Sequence, residues 1–191
     1  MNINQLLFFY FLLLGASVLI RNINFKKYHD FFWFCDLAPF LFALGFFLDN
    51  MQFVKAVVSV GLIGQIFAFF NVIPMRIVEW NKNKINHKQF YILTDILIHL
   101  TTIIVFLLTI NIAPNEDSLK YSLLILLFMF TSSLLFTPKK ENVNTIYFFE
   151  INTSHGSKRF RLPFHTYLWI VYAFLQTLLS FFLQYLAYNH L

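Results

Sequence analysis

The amino-acid sequence predicts an all-α protein, a bundle of six transmembrane helices forming one domain over residues 1–191. Hydrophobic residues make up 59% of the chain and charged residues 12%, whereas a soluble domain is about half apolar and a quarter charged. The 27 phenylalanines are more than one soluble core of this size would hide. The apolar residues also fall into separate runs, each close to the ~20 residues that cross a ~30 Å hydrocarbon core.

Six apolar runs are predicted as helices, over residues 5–21, 31–48, 54–73, 89–112, 121–137 and 164–188. The first run has no basic segment before it and no evident cleavage site after it, so we interpret it as a retained helix rather than a signal peptide. Pro74 and Pro114 are predicted to end the third and fourth helices. Tyrosine and tryptophan residues near the start of the sixth run are typical of an aromatic belt at a membrane interface.

Basic residues predict the orientation of the bundle. The connectors after helices one, three and five hold twelve of the 14 Lys and Arg residues, and the other two are Lys55 and Lys120. Cytoplasmic loops are enriched in Lys and Arg. The sequence therefore predicts a multi-pass protein of the cell membrane with both termini outside. This distribution also explains the net charge of +5 without a nucleic-acid partner, and the single cysteine excludes an internal disulfide.

Four ionisable or nucleophilic residues interrupt two of the apolar runs, and they are the predicted catalytic residues. Cys35 and Asp36 lie early in helix two, and Asp95 and His99 lie in helix four. Ionisable groups at membrane depth normally face a bundle interior or a wet cavity. Asp95 and His99 are four residues apart and share one helix face. An acid one turn from a histidine suits a general base, and a thiol within its reach would be a nucleophile for acyl transfer.

Depth and chemistry leave alternatives open for these four residues. Counted along straight helices, Cys35 lies roughly 6–8 Å below the membrane boundary and His99 roughly 15 Å, so they meet only if the helices tilt or shift. Cys35 can also be a small buried hydrophobe, and His99 a core histidine. Asp36 can pair with His99 or Arg76 as a purely structural contact. His99, Asp95 and Asp36 are of residue types that can bind a metal, but their spacing in the sequence is not diagnostic of a metal site. We predict neither a metal nor a cofactor.

Helix three supplies the remaining candidates. Gln65 and Asn71 are predicted to line a polar interior and bind substrate, or else to form hydrogen bonds between helices. Gly61, Gly64 and Ala68 form a face of small residues, which is typical of close helix packing in membranes.

Short motifs in this chain resemble the YwaF-like family of bacterial six-helix integral membrane proteins. They are Cys35-Asp36-Leu37 early in helix two, Gly61 to Gln65 in helix three, His99 in helix four and an Asn-x-x-Tyr segment at 144–147. The family often has a histidine two residues before the cysteine, where this chain has Trp33. Eukaryotic relatives of the family look like lipid acyltransferases, so the resemblance implies Cys35 as acyl acceptor and His99 as base.

The sequence therefore favours an intramembrane lipid acyltransferase or acyl hydrolase, with membrane lipids as its partners. In this hypothesis Cys35 is the nucleophile, His99 the base, and Asp95 or Asp36 the orienting acid. The alternative is a small-solute carrier or the substrate-binding membrane subunit of a transporter, in which the acids, Gln65 and His99 bind the solute. A third hypothesis is a structural or assembly factor that forms homo-oligomers or joins other membrane subunits through interhelical hydrogen bonds.

Overall fold

The six-helix, all-α architecture is confirmed. The structure is a computed structural model, and it describes residues 2–82, 86–139, 143–145, 149–153, 156–160 and 163–190. The helices are α1 Ile3–Asn24, α2 Phe34–Phe47, α3 Met51–Lys82, α4 Asn86–Leu108, α5 Glu116–Phe136 and α6 His165–His190. Five of them are long and apolar enough to cross a membrane, and α2 is the exception. This is the architecture of a multi-pass membrane protein.

The second helix is shorter than predicted, because it begins at Phe34 and has only 14 residues. At about 1.5 Å per residue it is about 21 Å long, which is less than the ~30 Å of a hydrocarbon core. Residues Tyr28–Phe32 form a separate 3-10 helix, and Trp33 between the two is extended, with φ −66° and ψ 139°. The chain therefore breaks its helix just before Cys35.

A side chain from a distant connector stabilises this break. The Phe34 N–H donates to Oδ1 of Asn144 at 3.0 Å, and Nδ2 of Asn144 donates to the Phe32 carbonyl at 2.8 Å. These bonds satisfy the backbone groups on either side of Trp33 that a continuous helix would have paired. Asn144 itself adopts a left-handed backbone conformation, with φ 53°, which asparagine tolerates better than most residues.

The prediction that the third helix ends at Pro74 is wrong, because α3 continues through it to Lys82. Proline removes one backbone hydrogen bond, but neighbouring turns and helices compensate for this loss in transmembrane helices. With 32 residues, α3 is the longest helix, and it packs against α2, α4, α5 and α6. It is therefore the central element of the bundle.

The connector between α5 and α6 contains a β-hairpin that the sequence analysis did not predict. Strands β1 (Phe149–Thr153) and β2 (Gly156–Phe160) pair antiparallel, with Phe149 opposite Phe160 and Thr153 opposite Gly156. The hairpin follows Asn144 in the chain. The connector that stabilises the start of α2 therefore also contains regular structure of its own.

Apolar side chains fill the interior and also cover the outside. The fully buried ones include Phe11, Val18, Phe42, Val54 and Val57. Large apolar side chains are exposed along all of the long helices, with Leu13, Phe70 and Leu135 each more than two-thirds exposed. Monomeric soluble proteins rarely expose contiguous apolar surfaces of this extent, so these faces fit contact with lipid tails.

Candidate active site

Two acids and two arginines form a buried cluster where α1, α2, α3 and α4 meet. Nη2 of Arg21 donates to Oδ2 of Asp36 at 2.5 Å, and its Nη1 is 3.4 Å from Oδ1 of Asp95. Nε of Arg76 donates to Oδ2 of Asp95 at 2.6 Å. Asn22 adds a bond from its Nδ2 to Oδ2 of Asp36 at 2.8 Å. We call Arg21, Asp36, Arg76 and Asp95 the four-charge cluster, and its formal charges sum to zero.

The four-charge cluster changes the predicted partner of Asp36. The sequence suggested His99 or Arg76 as the partner of Asp36, whereas the structure shows its carboxylate in an ion pair with Arg21. Arg21 was counted among the connector residues, but it lies in the last turn of α1 and is only 2% exposed. Arg76 lies within α3. If Arg21 and Arg76 are not counted as connector residues, the predicted excess of basic residues in the odd-numbered connectors keeps its direction. Lys55, which was counted on the opposite side, is also inside α3 and buried.

Tyr91 of α4 lies against three basic groups at the edge of this cluster. Its ring centroid is 5.3 Å from the Arg21 guanidinium, 5.4 Å from that of Arg76 and 5.1 Å from the Lys27 ammonium. Lys27 also donates to the Tyr91 hydroxyl at 3.2 Å. Partial burial lowers the pKa of Lys27, but the contacts with Tyr91 and Asp30 outweigh it, so its pKa lies above the ordinary value.

His99 is oriented through the backbone of the cluster. Its Nδ1 lies 2.7 Å from the carbonyl oxygen of Asp95 and 3.8 Å from the Asp95 carboxylate. A carbonyl oxygen can only accept a hydrogen bond, so Nδ1 carries a proton and Nε2 is the nitrogen that can act as a base. Asp95 thus fixes the tautomer with its main chain, while its carboxylate binds the two arginines.

The thiol and the imidazole, which straight helices would place at different depths, line the same cavity. This cavity has a volume of about 270 Å³, near the lower end of the range for small-molecule pockets. Its polar lining residues are Cys35, Gln65, His99, Asn144 and Gln176. Its apolar lining includes Trp33, Phe34, Val60, Leu126, Met129, Phe130, Trp169 and Ala173. Five helices and one connector therefore contribute to a single chamber.

The small-residue face of α3 forms one wall of the cavity. Gly61, Gly64 and Ala68 all line it. The ring of Phe34 packs so closely on Gly61 that a methyl group there would overlap it. A methyl group on Gly64 would lie 3.1 Å from Nε2 of Gln176. The small-residue face predicted for helix packing thus makes room for the ring of Phe34 and the amide of Gln176. It also borders the open cavity beside them.

Cys35 is the second residue of α2 and follows directly from the helix break. Its Sγ lies 3.8 Å from Oδ1 of Asp36, a distance compatible with a weak thiol hydrogen bond. Pro39 has no N–H to donate to the Cys35 carbonyl, so the first turn of α2 lacks that bond. The thiol therefore lies beside a cavity, in the first turn of α2, within reach of an acid that is paired with Arg21.

The two predicted binding residues are separated by the structure. Gln65 lines the cavity and is only 4% exposed, and its Oε1 has no hydrogen-bond partner among the described residues. Asn71 is exposed and donates to the Phe67 carbonyl of its own helix at 2.7 Å. Asn71 is not among the residues that line the cavity.

Sequence reasoning missed several contributors to the site. Arg21 appeared to be a topology signal because it follows an apolar run, although basic residues in that position can also turn inward. Asn144 entered only through the Asn-x-x-Tyr resemblance, and its contact with Phe34 spans 110 residues. Gln176 is a polar amide within an apolar stretch of α6, and this was the available signal.

Comparison with protein-family models, curated proteins and solved structures finds no match. Over the described residues, no group of three or more His, Cys, Asp or Glu side chains is arranged to hold a metal ion.

Proposed function

We propose that this protein is an intramembrane enzyme that transfers or hydrolyses an acyl group of a lipid, with Cys35 as nucleophile and His99 as base. The observation that carries the proposal is that Cys35 and His99, from α2 and α4, line one cavity within an apolar bundle. A nucleophile, a base and a group that orients the base form the usual constellation of covalent acyl transfer. Here the orienting group is the Asp95 carbonyl.

The proposed reaction has two steps. His99 Nε2 takes the proton of the Cys35 thiol, and Sγ bonds to the carbonyl carbon of a lipid ester. The ester C–O bond then breaks, and the departing alcohol takes the proton from His99, leaving a thioester on Cys35. Water or an acceptor alcohol then attacks the thioester, loses its proton to His99 and releases the acyl group, and the proton returns to the thiolate. Asp36, held by Arg21 and Asn22, orients the thiol.

The surroundings of the cavity suit a lipid substrate. Leu126, Met129 and Phe130 of α5 and Ala173 of α6 provide an apolar lining, while the outer faces of both helices carry exposed apolar side chains. A chamber of about 270 Å³ holds an acyl carbonyl and its first methylenes, so the rest of the lipid would remain in the bilayer. The basic connectors would place the site's entrance at the cytoplasmic leaflet.

The carrier hypothesis receives less support from the geometry. In that hypothesis the carboxylates of Asp36 and Asp95 bind a solute or a proton, but both are already paired with arginines. A structural factor would need no cavity at Cys35. We therefore retain the enzyme hypothesis.

The test is covalent labelling of the purified protein in lipid vesicles by a long-chain chloromethyl ketone, an electrophile with a lipid-like tail. We expect Cys35→Ala to abolish labelling and His99→Gln to slow it by about 10²-fold or more, which is typical for loss of a general base. His190→Gln is the matched control, because His190 is exposed at the end of α6, and it should label at the wild-type rate. Unchanged labelling in both Cys35→Ala and His99→Gln would contradict the proposal.

A further inference from the structure

Two glutamine side chains that line the cavity, Gln65 and Gln176, form no hydrogen bond with another described residue. Gln65 of α3 is 4% exposed, and its Oε1 has no partner in the described part of the chain. Gln176 of α6 lines the same cavity and likewise forms no hydrogen bond with another described residue. Buried polar groups are nearly always hydrogen-bonded, so the unpartnered amide of Gln65 indicates a place for a bound molecule. The Nε2–H groups of both glutamines are available to an acceptor on that molecule.

The Gln176 amide packs on Gly64 because that residue has no side chain. Nε2 of Gln176 lies where a methyl group on Gly64 would be only 3.1 Å away, and Gly64 directly precedes Gln65 in the chain. The Gln176 amide therefore packs against the turn of α3 that carries Gln65. Both line the chamber that also contains the thiol of Cys35 and the ring of His99.

The side-chain donors of Asn144, Arg21 and Arg76 are already engaged. Nδ2 of Asn144 donates to the Phe32 carbonyl at 2.8 Å and to Oγ of Ser133 at 3.0 Å, which uses both of its hydrogens. The guanidinium groups of Arg21 and Arg76 bind the carboxylates of the four-charge cluster. Gln65 and Gln176 thus provide amide donors that have no hydrogen-bond partner among the described residues, and both line the chamber.

We propose that Gln65 and Gln176 form an oxyanion hole that binds the carbonyl oxygen of an uncharged acyl ester. This inference rests on the proposed function. When Sγ of Cys35 bonds to the carbonyl carbon, the C=O π pair moves onto oxygen, and the Nε2–H groups of both glutamines donate to that oxygen. When the ester C–O bond breaks, the pair returns to re-form C=O, and the leaving alcohol is protonated by His99. The substrate class is therefore a neutral ester lipid, whose reacting group needs amide donors rather than a cation.

The experiment compares acylation and alkylation of Cys35, because only acylation develops charge on an oxygen. Purified protein in vesicles is treated either with a p-nitrophenyl ester of a long-chain acid or with a long-chain iodoacetamide, and both adducts are followed by intact mass spectrometry. We expect Gln65→Leu to slow acylation by about 10²–10³-fold, as measured for loss of one oxyanion-hole donor, and to leave the alkylation rate at the wild-type value. Gln176→Leu should behave in the same way.

Two further variants separate a catalytic role from a structural one. Asn71→Leu removes an amide from the same helix outside the cavity, and it should leave both rates unchanged. Gly64→Ala keeps both glutamines but displaces the Gln176 amide, so it should slow acylation and not alkylation. This second variant tests the proposal even if Gln65→Leu fails to fold.

The outcomes distinguish the two levels of the proposal. If wild-type Cys35 is alkylated but never acylated, the acyl-transfer function itself is wrong, and the oxyanion hole is overturned with it. If the wild type is acylated and Gln65→Leu and Gln176→Leu are acylated as fast, the function stands and the oxyanion hole is overturned. Equal slowing of acylation and alkylation in the glutamine variants would assign both residues a structural role and would also overturn it.

Discussion

At the scale of single residues, the site depends on side chains that fix the backbone or the ring of another residue. Asn144 holds the break before Cys35 through bonds to Phe34 and Phe32, and the Asp95 carbonyl holds the ring of His99. Sequence alone predicted that Cys35, Asp95 and His99 were notable, because polar groups in apolar runs are conspicuous. It could not predict what Asn144 does, because a connector asparagine is unremarkable until the chain folds back on itself.

Replacing Asn144 should loosen the start of α2. Asn144→Gly removes the side-chain bonds but keeps the left-handed conformation available, and the loss of bonds to buried backbone groups should cost about 1–3 kcal/mol. Asn144→Ala should cost roughly 1–2 kcal/mol more, because φ of 53° is unfavourable for alanine. The measurement is the thermal unfolding midpoint in detergent.

The same variants should slow alkylation of Cys35, because its position depends on the helix break. Wild-type midpoints for both variants would show that Asn144 does not hold the break. A lower midpoint for Asn144→Gly than for Asn144→Ala would contradict the role assigned to its backbone conformation.

At the scale of elements, the four-charge cluster joins α1, α2, α3 and α4. Composition and the length of the apolar runs predicted these helices, because each run is apolar on its own. They could not predict that Arg21 turns inward, since this depends on Asp36 and Asp95 being placed opposite it by other helices. The small-residue face of α3 was recognised for a similar reason, because its spacing is local. Its use as a cavity wall depends on Phe34 and Gln176 from two other helices.

Removing one charge of the Arg21–Asp36 ion pair should destabilise the protein more than removing both charges together. Asp36→Asn leaves Arg21 buried with one carboxylate fewer, and removing one partner of a buried ion pair costs about 3–5 kcal/mol. The double variant Arg21→Met with Asp36→Leu removes the pair together, and it should unfold at a higher temperature than Asp36→Asn. Asp117→Asn is the control, because its contact with Lys120 is exposed and exposed pairs contribute about 0–1 kcal/mol.

That comparison is again made from unfolding midpoints in detergent. If Asp36→Asn unfolds at the wild-type temperature, the pair with Arg21 does not stabilise the bundle. If the double variant is the least stable of the set, the pair contributes more than its desolvation cost, contrary to our expectation.

At the scale of the whole molecule, the class was predictable and the convergence of the site was not. Composition and run length predicted six helices because a span needs only a set number of apolar residues. The relative depth of residues in α2 and α4 is not set by the length of the apolar runs, because it depends on where each helix starts. A straight count from residue 31 separated Cys35 from His99 in depth. That count fails because Tyr28–Phe32 form a separate 3-10 helix that packs against α1 and α2, and α2 begins only after the break at Trp33. The start of α2 therefore does not lie where the apolar run begins.

The most direct test of the account is whether α2 and α4 bring residues 35 and 99 to one chamber. Cys35 is the only cysteine in the chain, so His99→Cys creates a protein with two thiols. We predict that a short bis-methanethiosulfonate reagent bridges them within one chain, detected by intact mass spectrometry as a single added linker. Leu100→Cys, one residue further around α4, should add two separate reagent molecules instead. If His99→Cys also gave only two separate adducts, Cys35 and His99 would not share a cavity and the proposed chemistry would be contradicted.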